Sequence, residues 1–121
     1  MIKIKIHTNV DRVLPAKAAL IRARLDAAIR RAAFMLQGEI RESISGHRAE
    51  PASVDTGNFL DHIGVEFPQM FQAIVYSPTS YAVFLEYGTS KGMKPRHHFT
   101  NSALRMEPII IENVRESIRD I

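Results

Sequence analysis

The chain opens with a strict alternation of apolar and polar residues. Within residues 2–7, three isoleucines alternate with two lysines and a histidine, and a repeat of two residues is typical of a strand that buries one face. The pattern predicts a β-strand over residues 2–7. Lysines on its open face also discourage unwanted pairing if the strand lies at a sheet edge.

A long amphipathic helix is predicted from Pro15 to Ser45. Pro15 suits a first-turn position, and Gly46 suits the left-handed residue that follows a last turn. About thirty residues reach roughly 45 Å at 1.5 Å per residue, so we expect part of this helix to lie against a neighbouring subunit. The apolar residues that recur at steps of three and four are Ile21, Leu25, Ala28 or Ile29, Ala32, Leu36, Ile40 and Ile44.

The middle of the chain predicts a loop and then a hairpin. Residues 46–57 are rich in polar and helix-breaking residues, so we expect a loop that is disordered in isolation. Residues 58–62 fit either a short turn of helix or the start of a strand. Alternating residues on both sides of a Pro68-Gln69 turn predict antiparallel strands over residues 62–67 and 70–77.

Two further helices are predicted. The first runs from Tyr81 to about Tyr87, with Thr79 or Ser80 as its N-cap and Tyr81, Phe84 and Leu85 on one face, and Gly88 ends it before a loop over residues 88–96. The last helix begins near residues 99–102, and Pro108 predicts a kink or break around residues 106–108. Its expected caps are Thr100, Asn101 and Ser102, and its expected inward residues are Ala103, Leu104, Ile110 or Ile111, Val114, Ile118 and Ile121.

Together these elements predict one α+β domain over residues 1–121. Its small, mostly antiparallel sheet of three or four strands packs against the long N-terminal helix and the C-terminal helix. The hydrophobic share of 45% and the charged share of 24% are typical of globular proteins. The apolar runs are too short to span a bilayer, so we expect no membrane partner and synthesis in the cytoplasm.

The net charge of +3 is unevenly distributed. Residues 1–12 carry +2 and residues 13–46 carry +3, whereas residues 47–95 carry −2 and residues 96–121 are neutral. A basic amino-terminal half and an acidic middle suit head-to-tail contact between identical subunits, and they also suit binding to nucleic acid. Charge alone does not distinguish the two.

Enzymatic chemistry finds little support in the sequence. The chain has no cysteine, which excludes thiolate metal sites and cysteine nucleophiles. His97 and His98 are adjacent and do not form the i, i+4 pair of a helical zinc site. We interpret Glu86 as an acceptor of N–H groups from the Gly88-Thr89 turn. No phosphate loop or nucleophile motif occurs, so we expect no enzyme, no cofactor and no metal.

Basic residues supply the candidate contact sites. They lie on the first helix and in the loop over residues 88–96, and each set suits either another subunit or the phosphates of DNA. The alternative function is therefore a small DNA-binding module that uses the basic face of the first helix. The candidate contacts are Arg22, Arg30, Arg31, Lys91, Lys94 and Arg96.

Three stretches of the chain resemble a known family. Residues 56–63 are similar to a "Thr-Gly-x-Leu-Arg-x-Ser-Ile" motif, and residues 81–89, Tyr-Ala-Val-Phe-Leu-Glu-Tyr-Gly-Thr, are similar to "Tyr-Ala-x-x-Val-Glu-Phe-Gly-Thr". Pro95, Phe99 and Ala103 fit a "Pro-Phe-x-x-x-Ala" motif, although three residues here separate the proline from the phenylalanine. These motifs belong to small phage head-tail joining proteins, the tail-component or neck family named after the tenth gene product of the Hong Kong lambdoid phage type.

The resemblance implies a structural virion protein of a tailed phage or prophage. It implies subunits that form a homo-oligomeric ring, with the connector or adaptor proteins and the tail proteins as partners and packaged DNA as a candidate partner inside the ring. Its location is the neck or tail of the virion. The signature residues, expected to form a structural turn and a subunit contact, are Thr56, Gly57, Tyr81, Ala82, Glu86, Tyr87, Gly88, Thr89, Pro95, Phe99 and Ala103.

Overall fold

The computed structural model describes residues 2–7, 18–53 and 58–119. The elements follow the order β1 (Ile2–His7), α1 (Ala18–Ile44), α2 (Asn58–Asp61), β2 (Gly64–Glu66), β3 (Gln72–Ser77), α3 (Ala82–Tyr87) and α4 (His98–Ser117). The α+β prediction is confirmed, with three antiparallel strands in the described residues. Pro15, Thr56, Gly57 and Ile121, for which the sequence made predictions, lie outside these residues.

The three strands form one sheet in the order β1-β3-β2. β3 lies in the centre and pairs with β1 from Ile2 opposite Ser77, and with β2 from Gly64 opposite Tyr76. The bounds of β1 agree with the alternating pattern that predicted them. The hairpin is confirmed, but both strands are shorter than the predicted 62–67 and 70–77, so residues 67–71 separate them. Phe71, at the end of this connection, takes a left-handed conformation with φ of 64°.

α1 covers the buried face of the sheet and packs against α4. Twenty-seven residues make this helix about 40 Å long. Its C-terminus confirms the prediction for Gly46, which has φ of 85°. The Gly46 N–H donates to Ser43 O and the His47 N–H donates to Glu42 O, the bond pair of a Schellman motif.

The core lies between α1, the inner face of the sheet and the first turns of α4. Because apolar residues from every helix meet there, burial of this one cluster stabilises the whole fold. Its fully covered members include Ala33, Leu36, Ile40, Ile44, Phe59, Ala73, Val75, Ala82 and Phe99.

Several helix predictions are wrong in detail. α4 begins at His98, one residue earlier than predicted, and it is one helix through Pro108 to Ser117, so of the predicted kink or break the break does not occur. Leu104 was expected to face inward, but it is 62% exposed. Of the alternatives Ile110 or Ile111, Ile110 packs against the core and Ile111 is 41% exposed. Met106 takes a buried position on α4 instead.

Candidate assembly surface

Residues 81–103 form a corner that contains α3, the loop after it and the start of α4. We refer to this segment as the α3–α4 corner. α3 spans Ala82–Tyr87, and Tyr81 occupies its N-cap position without a side-chain cap. The prediction of Thr79 or Ser80 as the cap is therefore wrong. Every signature residue that the structure describes lies in this corner.

The carboxylate of Glu86 caps the N-terminus of α4. Its Oε1 accepts from the Phe99 N–H at 2.8 Å, and its Oε2 accepts from the Thr100 N–H at 2.9 Å. The side chain is 1% exposed. Free N–H groups and the helix dipole make a helix N-terminus favourable for a negative charge. Glu86 therefore joins α3 to α4.

This capping arrangement corrects two predictions. Glu86 was expected to bind the turn at Gly88 and Thr89, but its acceptors face α4 instead. Thr100, Asn101 and Ser102 were expected to cap the last helix, but the N-cap position belongs to His97, which has no side-chain cap hydrogen bond. The His97 Nδ1 lies 3.8 Å from Glu86 Oε2.

Gly88 ends α3 in a conformation that disfavours other residues. It has φ of 78° and ψ of −176°, and its N–H donates to Phe84 O at 2.7 Å. A Cβ at this position would lie 2.5 Å from the carbonyl oxygen of Met93. The predicted stop at Gly88 is confirmed, and the close approach of the following loop explains why glycine is required there.

The loop after Gly88 folds back on itself through Thr89. The Thr89 N–H donates to Met93 O at 3.1 Å, and the Thr89 Oγ1 accepts from the Met93 N–H at 3.2 Å. Lys91 and Lys94 are exposed on this loop. Arg96 connects this loop to the loop after α1, because its Nη1 donates to Ala52 O at 2.6 Å and to Ser53 Oγ at 2.8 Å.

An aromatic cluster holds the corner onto α2. The ring of Phe59 stacks on Phe99 with centroids 6.4 Å apart, and it meets Tyr81 and His98 edge-on at 5.8 Å and 6.0 Å. Such pairs add stability beyond the burial of their area. The cluster therefore places two signature residues, Tyr81 and Phe99, in structural roles.

A buried histidine connects α4 to the C-terminus of α1 and to the loop that follows. His98 is fully buried, its Nδ1 lies 2.8 Å from Ser43 Oγ, and its Nε2 lies 2.6 Å from Ser53 Oγ. Burial lowers the pKa of His98, because desolvation penalises the charged ring. A neutral ring suits the two hydroxyl partners.

A buried carboxylate–guanidinium pair continues this polar network. Arg105 Nη1 and Nη2 donate to the two oxygens of Glu50 at 2.8 Å and 2.7 Å, and Arg105 Nε donates to Glu39 at 3.0 Å. Hydrogen bonding to Arg105 lowers the pKa of Glu50 to about 2. Arg48 likewise lowers the pKa of Glu39. The network connects Glu50, in the loop that follows α1, to α4.

Sequence reasoning did not identify this network. Glu50 stands between Ala49 and Pro51 in a polar loop, and Arg105 lies 55 positions later on α4. No local pattern links the two positions. Only the burial of Glu50, which the fold creates, makes the pair necessary.

α3 presents large apolar side chains to solvent and separates two open grooves. The first, the corner groove, has a volume of about 850 Å³ and is lined by Phe84 and Met93, which are 51% and 42% exposed. The second, the edge groove, has a volume of about 630 Å³ and is lined by Tyr87 and Leu104, both 62% exposed. Tyr81, Phe84 and Leu85 were expected to share a face, and all three line the corner groove, where Leu85 is buried and Phe84 is exposed.

The structure does not gather the arginines of α1 on one face. Nine residues separate Arg22 from Arg31, which places them about 180° apart around a helix of 3.6 residues per turn. Arg30 is paired with Asp26 at 3.1 Å and lies over the ring of Phe67 at 4.4 Å. Arg22 and Arg31 therefore lie on different faces of α1, although Arg24 and Arg31 line the same hollow.

Comparison with known proteins identifies the family. Residues 5–88 match the family described as "Bacteriophage HK97-gp10, putative tail-component". The chain belongs to this HK97 gp10-like family of phage tail components, whose members are structural. No curated protein and no solved structure matches the chain.

Two structural findings accompany this assignment. None of the described helices combines the length and apolar character needed to cross a membrane. Within the same residues, no group of three or more histidine and carboxylate side chains could hold a metal ion. The family assignment is consistent with a structural protein of the virion.

Replacement of Gly88 by alanine is expected to destabilise the fold by a few kcal/mol, because the new Cβ meets Met93 O and the backbone is strained. The matched control is Gly92→Ala, where φ is also positive, at 101°, but no atom lies within 4 Å. Urea unfolding of both variants tests the prediction. Equal losses for the two would show that the contact with Met93 is unimportant.

Replacement of Glu86 by glutamine is expected to cost about 1–3 kcal/mol, because a buried charge-assisted cap becomes a neutral one that offers a single acceptor oxygen. The control Glu107→Gln changes an exposed carboxylate on α4 and should be nearly neutral. Hydrogen exchange of the Phe99 and Thr100 amides should accelerate in the Glu86 variant only. Unchanged protection there would contradict the capping role.

Acid is expected to destabilise the protein through Glu50. Its pKa is lower in the folded chain than its ordinary value of 4.5, so its contribution is fully present above about pH 4.5 and is lost as pH falls toward 2. That contribution is on the order of 3 kcal/mol. Glu50→Gln should therefore reduce the loss of stability between about pH 5 and about pH 2, the range set by these two pKa values. Urea unfolding at several pH values measures it.

A matched variant separates this effect from general acid sensitivity. Glu112→Gln removes a carboxylate that is 60% exposed in its pair with Arg119, and surface pairs contribute little. Its pH profile should follow that of the unaltered protein. If Glu50→Gln also gave a parallel profile, the buried pair would not be the source of the acid dependence.

Proposed function

We propose that the protein is a ring-forming subunit at the head-tail junction of a tailed phage or prophage, acting as a neck or tail-completion protein. Residues 1–121 act as one domain of this kind, without catalysis. The partners are further copies of the chain, the connector or adaptor proteins of the head, and the tail proteins. Packaged DNA passes through the ring.

The exposed apolar surface of the α3–α4 corner carries this proposal. Large apolar patches on a soluble domain are typical of protein–protein contact sites. Phe84 and Met93 line the corner groove, and Tyr87 and Leu104 line the edge groove. The interior beneath them is fixed by the Glu86 cap and the Phe59 cluster. Such a rigid, apolar surface suits assembly with little rearrangement.

The chemistry of the corner supports a structural role for its polar residues. Ser53 Oγ and His98 Nε2 lie close together, but Arg96 also donates to that hydroxyl, and His98 is fully buried between two serines. These groups satisfy one another inside the fold. The rival function, a DNA-binding module, gains no support from the diverging arginines of α1.

Replacement of Phe84 by glutamate is expected to weaken self-association at least tenfold, because a charge replaces an exposed apolar side chain of the corner groove. The control is Met70→Glu, which alters a side chain that is 59% exposed in the β2–β3 turn. Sedimentation velocity over a concentration series measures association, and circular dichroism verifies the fold. A chain that stays monomeric at every concentration, alone and with its tail proteins, would contradict the proposed function.

A further inference from the structure

The sheet ends on both sides in a strand that has one unpaired edge. β3 is central, so β1 and β2 are the edge strands among the described residues. The edge groove runs along β1, because all six residues of that strand line it. An open edge presents a row of N–H and C=O groups that can pair with another strand.

The two edges carry opposite charges on the same face of the sheet. Lys5 and Glu66 are both directly opposite Ile74 on the central strand. Directly opposed residues point to the same side, and both side chains are exposed. Lys3 adds a second cation on this face of β1. The sheet is therefore positive at the β1 edge and negative at the β2 edge.

The strand directions determine how two copies can meet. β1 and β2 are each antiparallel to β3, so they run in the same direction. Copies arranged head to tail would place β1 beside β2 of the next copy, in parallel, with Lys5 and Glu66 on one face of a continuous sheet. A two-fold contact between two β1 edges would set lysine against lysine, which is unfavourable.

We propose that β1 of one copy pairs with β2 of the next, so that the edge groove holds the β2 edge of a neighbouring subunit. This inference rests on the proposed ring, because a head-to-tail contact closes into a ring when its rotation permits. The lysines of β1 attract Glu66 of the neighbour, and they also oppose β1–β1 pairing. The basic residues 1–12 and the acidic residues 47–95 agree with this polarity.

Engineered cysteines test this pairing directly, because the chain contains none. Two mixtures of single-cysteine variants are oxidised mildly. The first mixture contains Lys5→Cys and Glu66→Cys, and the second contains Lys3→Cys and Glu66→Cys. Within one chain the two positions are two strand spacings apart, about 9.6 Å, which is beyond the reach of a disulfide. In a double variant, which carries both cysteines in one chain, a disulfide must therefore join two molecules.

We expect a cross-linked dimer from at least one mixture, little cross-linking of any variant alone, and a ladder of oligomers from the double variant. The control mixture, Lys5→Cys with Met70→Cys, should remain uncross-linked. Association by sedimentation without any 3–66 or 5–66 cross-link would overturn this pairing and leave the proposed function standing. Rapid dimers of Lys5→Cys alone would show the two-fold contact instead. Absence of association by every variant and by the unaltered chain, alone and with the tail proteins, would overturn both.

Discussion

The buried carboxylate of Glu86 is the interaction on which the arrangement of the helices depends. Glu86 lies near the end of α3, and its two carboxylate oxygens accept hydrogen bonds from the Phe99 and Thr100 N–H groups at the start of α4, at 2.8 Å and 2.9 Å. α4 has no side-chain cap of its own, and its interior contains Pro108, which removes one backbone donor. The hydrogen bonds that cap the start of α4 therefore come from α3. Loss of this link would leave both a buried charge and a helix terminus unsatisfied.

The position of α4 in turn determines where the loop after α1 lies. Once α4 begins at His98, Arg105 lies two turns further along and faces Glu50 and Glu39, while His98 faces Ser43 and Ser53. In the described residues, no buried side-chain nitrogen or oxygen lacks a hydrogen-bond partner. Complete hydrogen bonding matters, because a buried polar network that lacks some of its hydrogen bonds makes the folded state less stable than an apolar interior would. One cap thus supports a larger set of buried polar contacts.

Local periodicity predicted the elements well, because repeats of two and of three to four residues report directly on which side chains share a face. The bounds of β1, the left-handed Gly46 and the stop at Gly88 all follow from such local rules. Periodicity does not say which face another element covers. Phe84 and Leu85 are neighbours on a two-turn helix, and only the packing of α3 on Phe59 and α4 decides that Leu85 is buried.

Long-range polar contacts had no sequence signal at all. The sequence suggested that Glu86 accepts backbone N–H bonds, which is correct, but it assigned the nearest donors rather than those ten or more residues later. The pairing of Glu50 with Arg105 spans 55 positions. Such contacts arise when the fold buries a charge and a partner must be near, so they follow from the tertiary structure and from no local pattern.

The division between a tightly bonded interior and an apolar exterior agrees with a protein that works by assembly. A flexible corner would lose conformational entropy on each contact that it makes, whereas a corner held by a cap, a stacked cluster and a buried ion pair has already lost it. Apolar side chains on a rigid support therefore contribute most of their burial to association. Apolar contact has no preferred direction, so a second feature, made of opposite charges, is needed to fix the head-to-tail orientation of the subunits in a ring. Lys5 and Glu66, at opposite edges of one sheet face, supply such a feature without any cost to the core.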